Sequence, residues 1–437
     1  MISRPIAKRG LTRRNFMQAA AGSAALGAMA GGASLALAQQ MKGTFWFNQA
    51  FQMDNFQKIV DRFRTMQDKA DLDFVLVPQN QIGTKLATAI AGGEIPSAAR
   101  LGGPELNALF IDRDQAVALD DLDPQISSYD WIPAIREAVT RNGKMYAMPV
   151  NSGALCFIYN RDLYEATGLD PDKPPETLHD LAEVAGRISD PSTQTWGHYL
   201  LTAPDNQSGG QWFQHILWAF GAELISEDGK TIILNSPEGV EAMEWYRHMV
   251  RDQKCMPVKQ ANEAQMLSDF LTGKVGSMFA FPAVLARVAN ATFKAQTALR
   301  PRGPKSATVP VGFGSIMVFK NSETWEAGWE FCKFIGLDPD NDAFWNVAFG
   351  QLPPRYSYRQ SPVWQEYQAK QPLVQAYLDA QEDARLPYAG PGASEIATRV
   401  SEAIEAVIFG RQTPKEAMDA AAEDGQVVLD RVLRRRG

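Results

Sequence analysis

The chain is poor in the residues that carry metal, redox and imidazole chemistry. Its three cysteines, Cys156, Cys255 and Cys332, lie 99 and 77 positions apart. No C-x-x-C pair exists, so neither a thiolate metal site nor a dithiol redox centre is supported. The four histidines, His179, His198, His215 and His248, show no H-x-H or H-E-x-x-H spacing, which leaves metal hydrolysis without a ligand set. No cofactor or metal is expected. Basic runs are scarce too: Arg434 to Arg436 is the one cluster, at the end of a helical pattern where it complements the helix dipole. Of 43 basic residues, five (Arg4, Lys8, Arg9, Arg13, Arg14) fall in the first 38 positions, which hold no acid; the rest of the chain sets 38 basic against 50 acidic residues, a balance of −12. A body that acidic repels nucleic acid and anionic lipid, so neither is an expected partner. Glycine and proline, 34 and 26 residues, stay below the share that marks low complexity, and 45% of residues are apolar. A packed globular protein of two or three domains is therefore expected.

The N-terminus has three zones. A basic stretch ends in Thr12-Arg13-Arg14-Asn15-Phe16-Met17, an Ala/Gly-rich run follows from Ala19 to Leu35, and Ala36-Leu37-Ala38 offers small residues at cleavage positions. This is the layout of an export signal. The paired arginines before Phe16 resemble a twin-arginine signal, and the low hydrophobicity of the run fits that route. Gly22, Gly27, Gly31 and Gly32 make it a poor membrane helix. The expectation is a signal peptide over 1–38, cleavage after Ala38, and a soluble periplasmic product without a lipid anchor, since no Cys lies near the site.

Beyond the signal, strands alternate with helices. Gly43 to Asn48 and Phe74 to Pro78 read as strands flanking a helix with Phe56, Ile59, Val60, Phe63 and Met66 on one face. Helical patterns follow at Thr84–Ala91, Pro104–Arg113, Arg161–Thr167, Leu178–Ile188, Gly210–Phe220, Pro237–Asp252 and Trp325–Ile335. The apolar run Ala154 to Tyr159 reads as a strand buried on both faces, and Gly314 to Phe319 as a return strand. The last 75 residues are almost wholly helical in pattern. Cys156 and Cys332 sit in apolar runs and are expected as buried thiols.

Five segments, in order along the chain, resemble the family 1 extracellular solute-binding proteins of ABC importers. They are Asn142-Gly143-Lys144-Met145-Tyr146-Ala147-Met148-Pro149 with Phe157 to Tyr164; Thr167-Gly168-Leu169-Asp170 with Pro175-Glu176-Thr177-Leu178; Phe270 to Met278; Ala327-Gly328-Trp329-Glu330-Phe331 with Gly350-Gln351-Leu352-Pro353-Pro354-Arg355; and Gly410 to Ala417. One departure is Ile95-Pro96-Ser97, where the family usually has Asp after the proline. The resemblance implies a periplasmic-binding-protein-like α/β fold: two α/β lobes joined by a multi-crossing hinge, with a ligand cleft between them. It places lobe one at 39–150 plus 311–352 and lobe two at 151–310 plus 353–437, with crossings near Pro149–Ser152, Pro310–Gly314 and Leu352–Tyr356. It implies a monomer that catalyses nothing, binds a small carbohydrate or polyol, and presents its closed form to the membrane subunits of an ABC importer.

A sugar site needs aromatic platforms and hydrogen-bonding edges. The polar, glycine-rich segment Asn206-Gln207-Ser208-Gly209-Gly210-Gln211-Trp212 supplies both, and Gln207 and Trp212 are candidates; Trp212 reads equally as core beside Phe213, Leu217 and Phe220. Trp218 reads as core. Asn48, Gln49 and Gln52 follow the first strand, where open α/β sheets bind ligands. Asn151 and Ser152 follow the first crossing, with turn chemistry as the alternative. Phe281 is a second platform or core. Gly312 and Gly314 allow close backbone approach, or simply a turn. Arg355 is either a guanidinium fork for an anionic solute or half of a structural ion pair. A glycerol-phosphate-type or sulfonated solute would use Arg355 with Lys85. An exported glycosidase would need two carboxylates across the cleft, and only Asp54 and Asp205 stand near it, without partners.

Overall fold

The computed structural model describes residues 40–48, 53–79, 81–203 and 209–434. The export signal with its cleavage position, and the candidates Gln49, Gln52, Asp205 and Gln207, lie outside the described residues.

Eleven strands occur among the described residues: β1 Met41–Phe47, β2 Ala70–Leu76, β3 Ala98–Gly102, β4 Thr140–Arg141, β5 Lys144–Met145, β6 Met148–Ala154, β7 Cys156–Asn160, β8 Ser277–Ala280, β9 Ala295–Ala298, β10 Val309–Val318 and β11 Ala384–Arg385. The larger sheet runs β11-β10-β3-β1-β2, with β6 also on β10. β1 is parallel to β2 and β3, whereas β10 runs antiparallel to β3 and β6. The smaller sheet is antiparallel, β8-β7-β9.

Local chemistry accounts for the elements. The helix Met53–Met66 buries Phe56, Ile59, Val60 and Phe63, one stripe at helical spacing. Phe56 stacks on Phe47 of β1 with centroids 3.8 Å apart. β2 starts four residues before the aromatic run that signals it, because Asp71 and Asp73 lie on the sheet's edge strand and turn to solvent. Asp71 there pairs with Lys42 and Arg64 at 2.9 Å. The run Ala154–Tyr159 is divided between two strands, with β6 ending at Ala154 and β7 starting at Cys156. Leu178–Ile188 opens on a capping box between Thr177 and Asp180. Ser97, the departure from the family pattern, is buried; its hydroxyl accepts from Thr44 N at 3.0 Å and bonds Thr324 Oγ1 at 2.6 Å, tying β1 to the start of the helix Trp325–Gly336. Cys156, Cys255 and Cys332 are free and buried.

Two hydrophobic cores form, one in each lobe. The first gathers buried side chains from Phe45 to Val150 and from Val311 to Phe349. The second gathers them from Ala154 to Val309, with Ala343, and from Leu352 to Leu429. The chain therefore passes between cores along β6, along β10 and at Gln351–Leu352, where Ser152 and Leu352 exchange backbone hydrogen bonds of 2.8 and 3.0 Å. A further strand meets β10 near its start: β11 pairs with Val309 and Pro310, and Ala384 packs against both cores.

Candidate functional site

The carboxyl ends of β1 and β3 lie side by side, the place where an α/β sheet opens its binding crevice. Asn48 follows β1 and is buried. Arg100 of β3 donates from Nη1 to Asn48 Oδ1 at 2.8 Å and from Nη2 to Asn151 Oδ1 of β6 at 3.3 Å. Asn48 Nδ2 in turn donates a hydrogen bond to Gln79 Oε1. Arg100 is only 4% exposed, and burial lowers its guanidinium to about 10. Gly314 of β10 lies beneath this network. A Cβ there would stand 2.4 Å from Asn151 Oδ1 and 2.5 Å from Arg100 Nη2, so the missing side chain is what lets the guanidinium settle on the strand.

Two residues earlier on the same face of β10, Gly312 meets the other wall, where a Cβ would come 3.3 Å from the Phe281 ring. Its cross-strand neighbour Gly153 is capped by Pro282, whose ring would lie 2.6 Å from a Cβ at that position. Phe281 packs against Trp212 with centroids 4.6 Å apart. Trp212 sits in the first turn of the helix Gly209–Phe220, which Gly210 brings against the backbone of Ala397. Both rings rest on the second core and stay half-buried. Under them is a cavity of about 30 Å³, room for a water molecule or two, lined by Tyr199, His215, Tyr246 and Phe279 among others. His198 and His215 flank the Phe279 ring at 4.7 and 5.3 Å. Burial pushes both imidazoles down, His198 to about 3.

A polar contact joins the two walls. Glu105, in the first turn of the helix Gly103–Asp112, accepts a hydrogen bond from Gln211, the neighbour of Trp212. Burial raises the Glu105 carboxyl above the ordinary range.

The structure thus brings Asn48, Asn151 and Gly314 together around Arg100, and Trp212, Phe281 and Gly312 together two residues away along β10. Ser152 is buried and structural: its hydroxyl bonds Leu352 O and Pro353 O at 3.2 Å and accepts from Gln381 at 2.8 Å, inside the hinge. Arg355 corrects the anion-fork expectation. It pairs with Asp130 at 3.0 Å and is stacked among Tyr129, Trp131 and Tyr358, fastening the third crossing to lobe one. Lys85, its expected partner, is exposed on the helix Ile82–Gly92. Trp218 is core, with Arg385 over its ring. Asp54 is exposed and makes no acid pair for glycoside cleavage among the described residues. Arg100 and Glu105 escape sequence reasoning. Arg100 is a single charge in Ala-Ala-Arg-Leu-Gly, and Glu105 has the form of ordinary helix N-terminal chemistry. Among the described residues no His, Cys, Asp and Glu cluster is placed to hold a metal, and no helix is long and apolar enough to cross a membrane.

A family model described as bacterial extracellular solute-binding protein matches residues 58–372. A protein of Brucella abortus (strain 2308), named only as a binding protein, is 25% identical over 384 residues, 87% of this chain and 90% of its own. The sn-glycerol-3-phosphate-binding periplasmic protein of Escherichia coli K12 is 26% identical over 313 residues, 67% of this chain and 69% of that protein. The crystal structure of the cyclic α-maltosyl-1,6-maltose binding protein of Arthrobacter globiformis superposes with a TM-score of 0.76 at 24% identity, covering 90% of this chain and 100% of that one.

Proposed function

Because the chain belongs to the bacterial extracellular solute-binding protein family, we propose that it captures a polyhydroxylated solute, a sugar, oligosaccharide or polyol, in the cleft and delivers it to the membrane subunits of an ABC importer. The observation that carries this reading is the meeting of two unlike walls on one strand. Gly314 of β10 carries the Arg100–Asn48–Asn151 network, and Gly312 carries the Phe281–Trp212 pair. An aromatic face suits the C–H side of a sugar ring, and side-chain amides suit its hydroxyls. Two relatives favour the same class by name, one binding glycerol 3-phosphate and the other a cyclic maltosaccharide.

In this reading the lobes are 39–150 with 311–352 and 151–310 with 353–437, the signal 1–38 is of the twin-arginine type, and the mature chain works as a periplasmic monomer. Closure about the crossings at β6, β10 and Leu352 encloses the solute, and the solute acts by binding the closed state more tightly than the open one. Asn48, Asn151, Gly314, Trp212, Phe281 and Gly312 contact the solute, with Glu105 joining from the helix start. Gln49 and Gln52 follow Asn48 in sequence, and Gln207 precedes the helix that carries Trp212. No step of this cycle is catalytic.

The test is thermal unfolding of the purified chain against sugars, polyols and their esters. A solute at 100 times its dissociation constant adds about 2.7 kcal/mol to the folded state, a readable rise in midpoint. A rise confined to one chemical class supports the reading. Turnover of a glycoside, or a rise with peptides alone, contradicts it.

A further inference from the structure

Resting on the solute-capture reading, we propose that Arg100 selects an acidic solute: the ligand is a polyol or sugar bearing a carboxylate or phosphate, and Arg100 is its counter-charge. A buried arginine ordinarily has a carboxylate beside it, because an unpaired charge in a low-dielectric interior is expensive. Arg100 is 4% exposed, yet its partners are two neutral amide oxygens, Asn48 Oδ1 and Asn151 Oδ1. Among the described residues its Nε has no hydrogen-bond partner. Among the described residues no acid pairs with it, in contrast to Arg355 with Asp130 and Arg385 with Glu223.

Position separates Arg100 from the other arginine buried to the same degree. Arg300 reaches the carbonyls of Ser306 and Thr308 beside its own segment. Arg100 instead stands at the carboxyl ends of β1 and β3, over the side-chain-free Gly314 and between Asn48, just past β1, and Asn151 of the β6 crossing. A guanidinium offers five N–H donors in a rigid fork that matches carboxylate and phosphate oxygens. Asn48 and Asn151 fix the orientation of that fork without neutralising it. A neutral sugar would leave the charge uncompensated, whereas an acidic group supplies what this wall lacks.

Titration calorimetry on the full chain with two matched pairs tests this: glycerol 3-phosphate against glycerol, and D-glucuronate against D-glucose. The expected result is that the acidic member of one pair binds roughly 30-fold or more tightly than its neutral partner; which pair responds tells phosphate from carboxylate. Arg100→Met then collapses that preference, and Arg100→Lys, which keeps the charge but not the fork, retains part of it. The unfolding midpoint of solute-free Arg100→Met stays level or rises, because an unpaired buried charge has been removed. Equal binding of neutral and acidic members overturns the proposal and leaves solute capture standing. So does an Arg100→Met protein that loses midpoint but keeps the acid preference, since Arg100 is then a structural cation. Binding of neither pair, with no midpoint rise across the wider sugar and polyol panel, overturns both.

Discussion

The two walls of the proposed site are built by opposite means. Lobe one presents a cation held by amides at the ends of strands, and lobe two presents two rings resting on an apolar core. The first depends on angles and on atoms that must not be crowded; the second depends on area. The lobes differ beneath the surface as well, because all four histidines fall between positions 179 and 248, in lobe two. A disturbance of geometry should therefore injure the first wall, and a loss of ring area or a drop in pH the second.

The largest contrast is expected between two glycines of one strand. In Gly314→Ala the new methyl meets Asn151 and Arg100 at 2.4 and 2.5 Å, while in Gly312→Ala it meets the Phe281 ring at 3.3 Å. Overpacking of the first kind costs about 3 kcal/mol, and the second well under ~1 kcal/mol. Urea unfolding of the two variants measures both, and equal losses would break the comparison.

Acid comes next. His198 and His215 are neutral in the fold, with His198 held at about 3, but the unfolded chain takes up protons near the ordinary imidazole value. Stability is thus intact above about pH 6.5 and falls as pH drops toward about 3, by about 2 kcal/mol at pH 5 from His198 alone. His198→Gln should flatten that acid limb in a pH series of unfolding midpoints. An unchanged limb would show that the imidazole is protonated without penalty.

Ring area is a smaller matter in stability and a larger one in binding. Trp212→Ala is expected to weaken solute affinity about tenfold, with Trp212→Phe recovering most of it. Loss of midpoint without loss of affinity would return Trp212 to the core. The smallest effect is expected from Glu105→Gln, which keeps a hydrogen-bond acceptor for Gln211 while removing the ionisable carboxyl; affinity should move by less than about threefold. A large change would mean that the Glu105 anion itself contacts solute.

Much of the fold was legible in the sequence where local pattern and tertiary role coincide. The stripe Phe56–Phe63 and the helix Leu178–Ile188 are read from spacing, whereas the crossings around Pro149, Gly312 and Leu352 come from the family resemblance, positioned by Pro and Gly breaks in the pattern. Trp212 and Phe281 announce themselves as aromatics beside polar or turn residues, although only the fold shows that they touch. What stayed hidden depends on partners distant in sequence. Arg100 acquires its meaning from Asn48 and Asn151, some fifty positions away on either side. Arg355 has the chemistry of a ligand donor, and Asp130, 225 positions earlier, cannot be paired with it from the sequence. Likewise β11 is two residues long and too short to leave a pattern.

Solute capture by this cleft requires that one solute touch both walls. Hydrogen–deuterium exchange of the full chain, with and without the solute that raises its midpoint most, tests this directly. Added protection is expected in the same experiment over 98–103 and 148–154 in the first wall and over 209–213 and 277–282 in the second. Protection confined to one of these walls, or to segments away from both, would contradict capture between them.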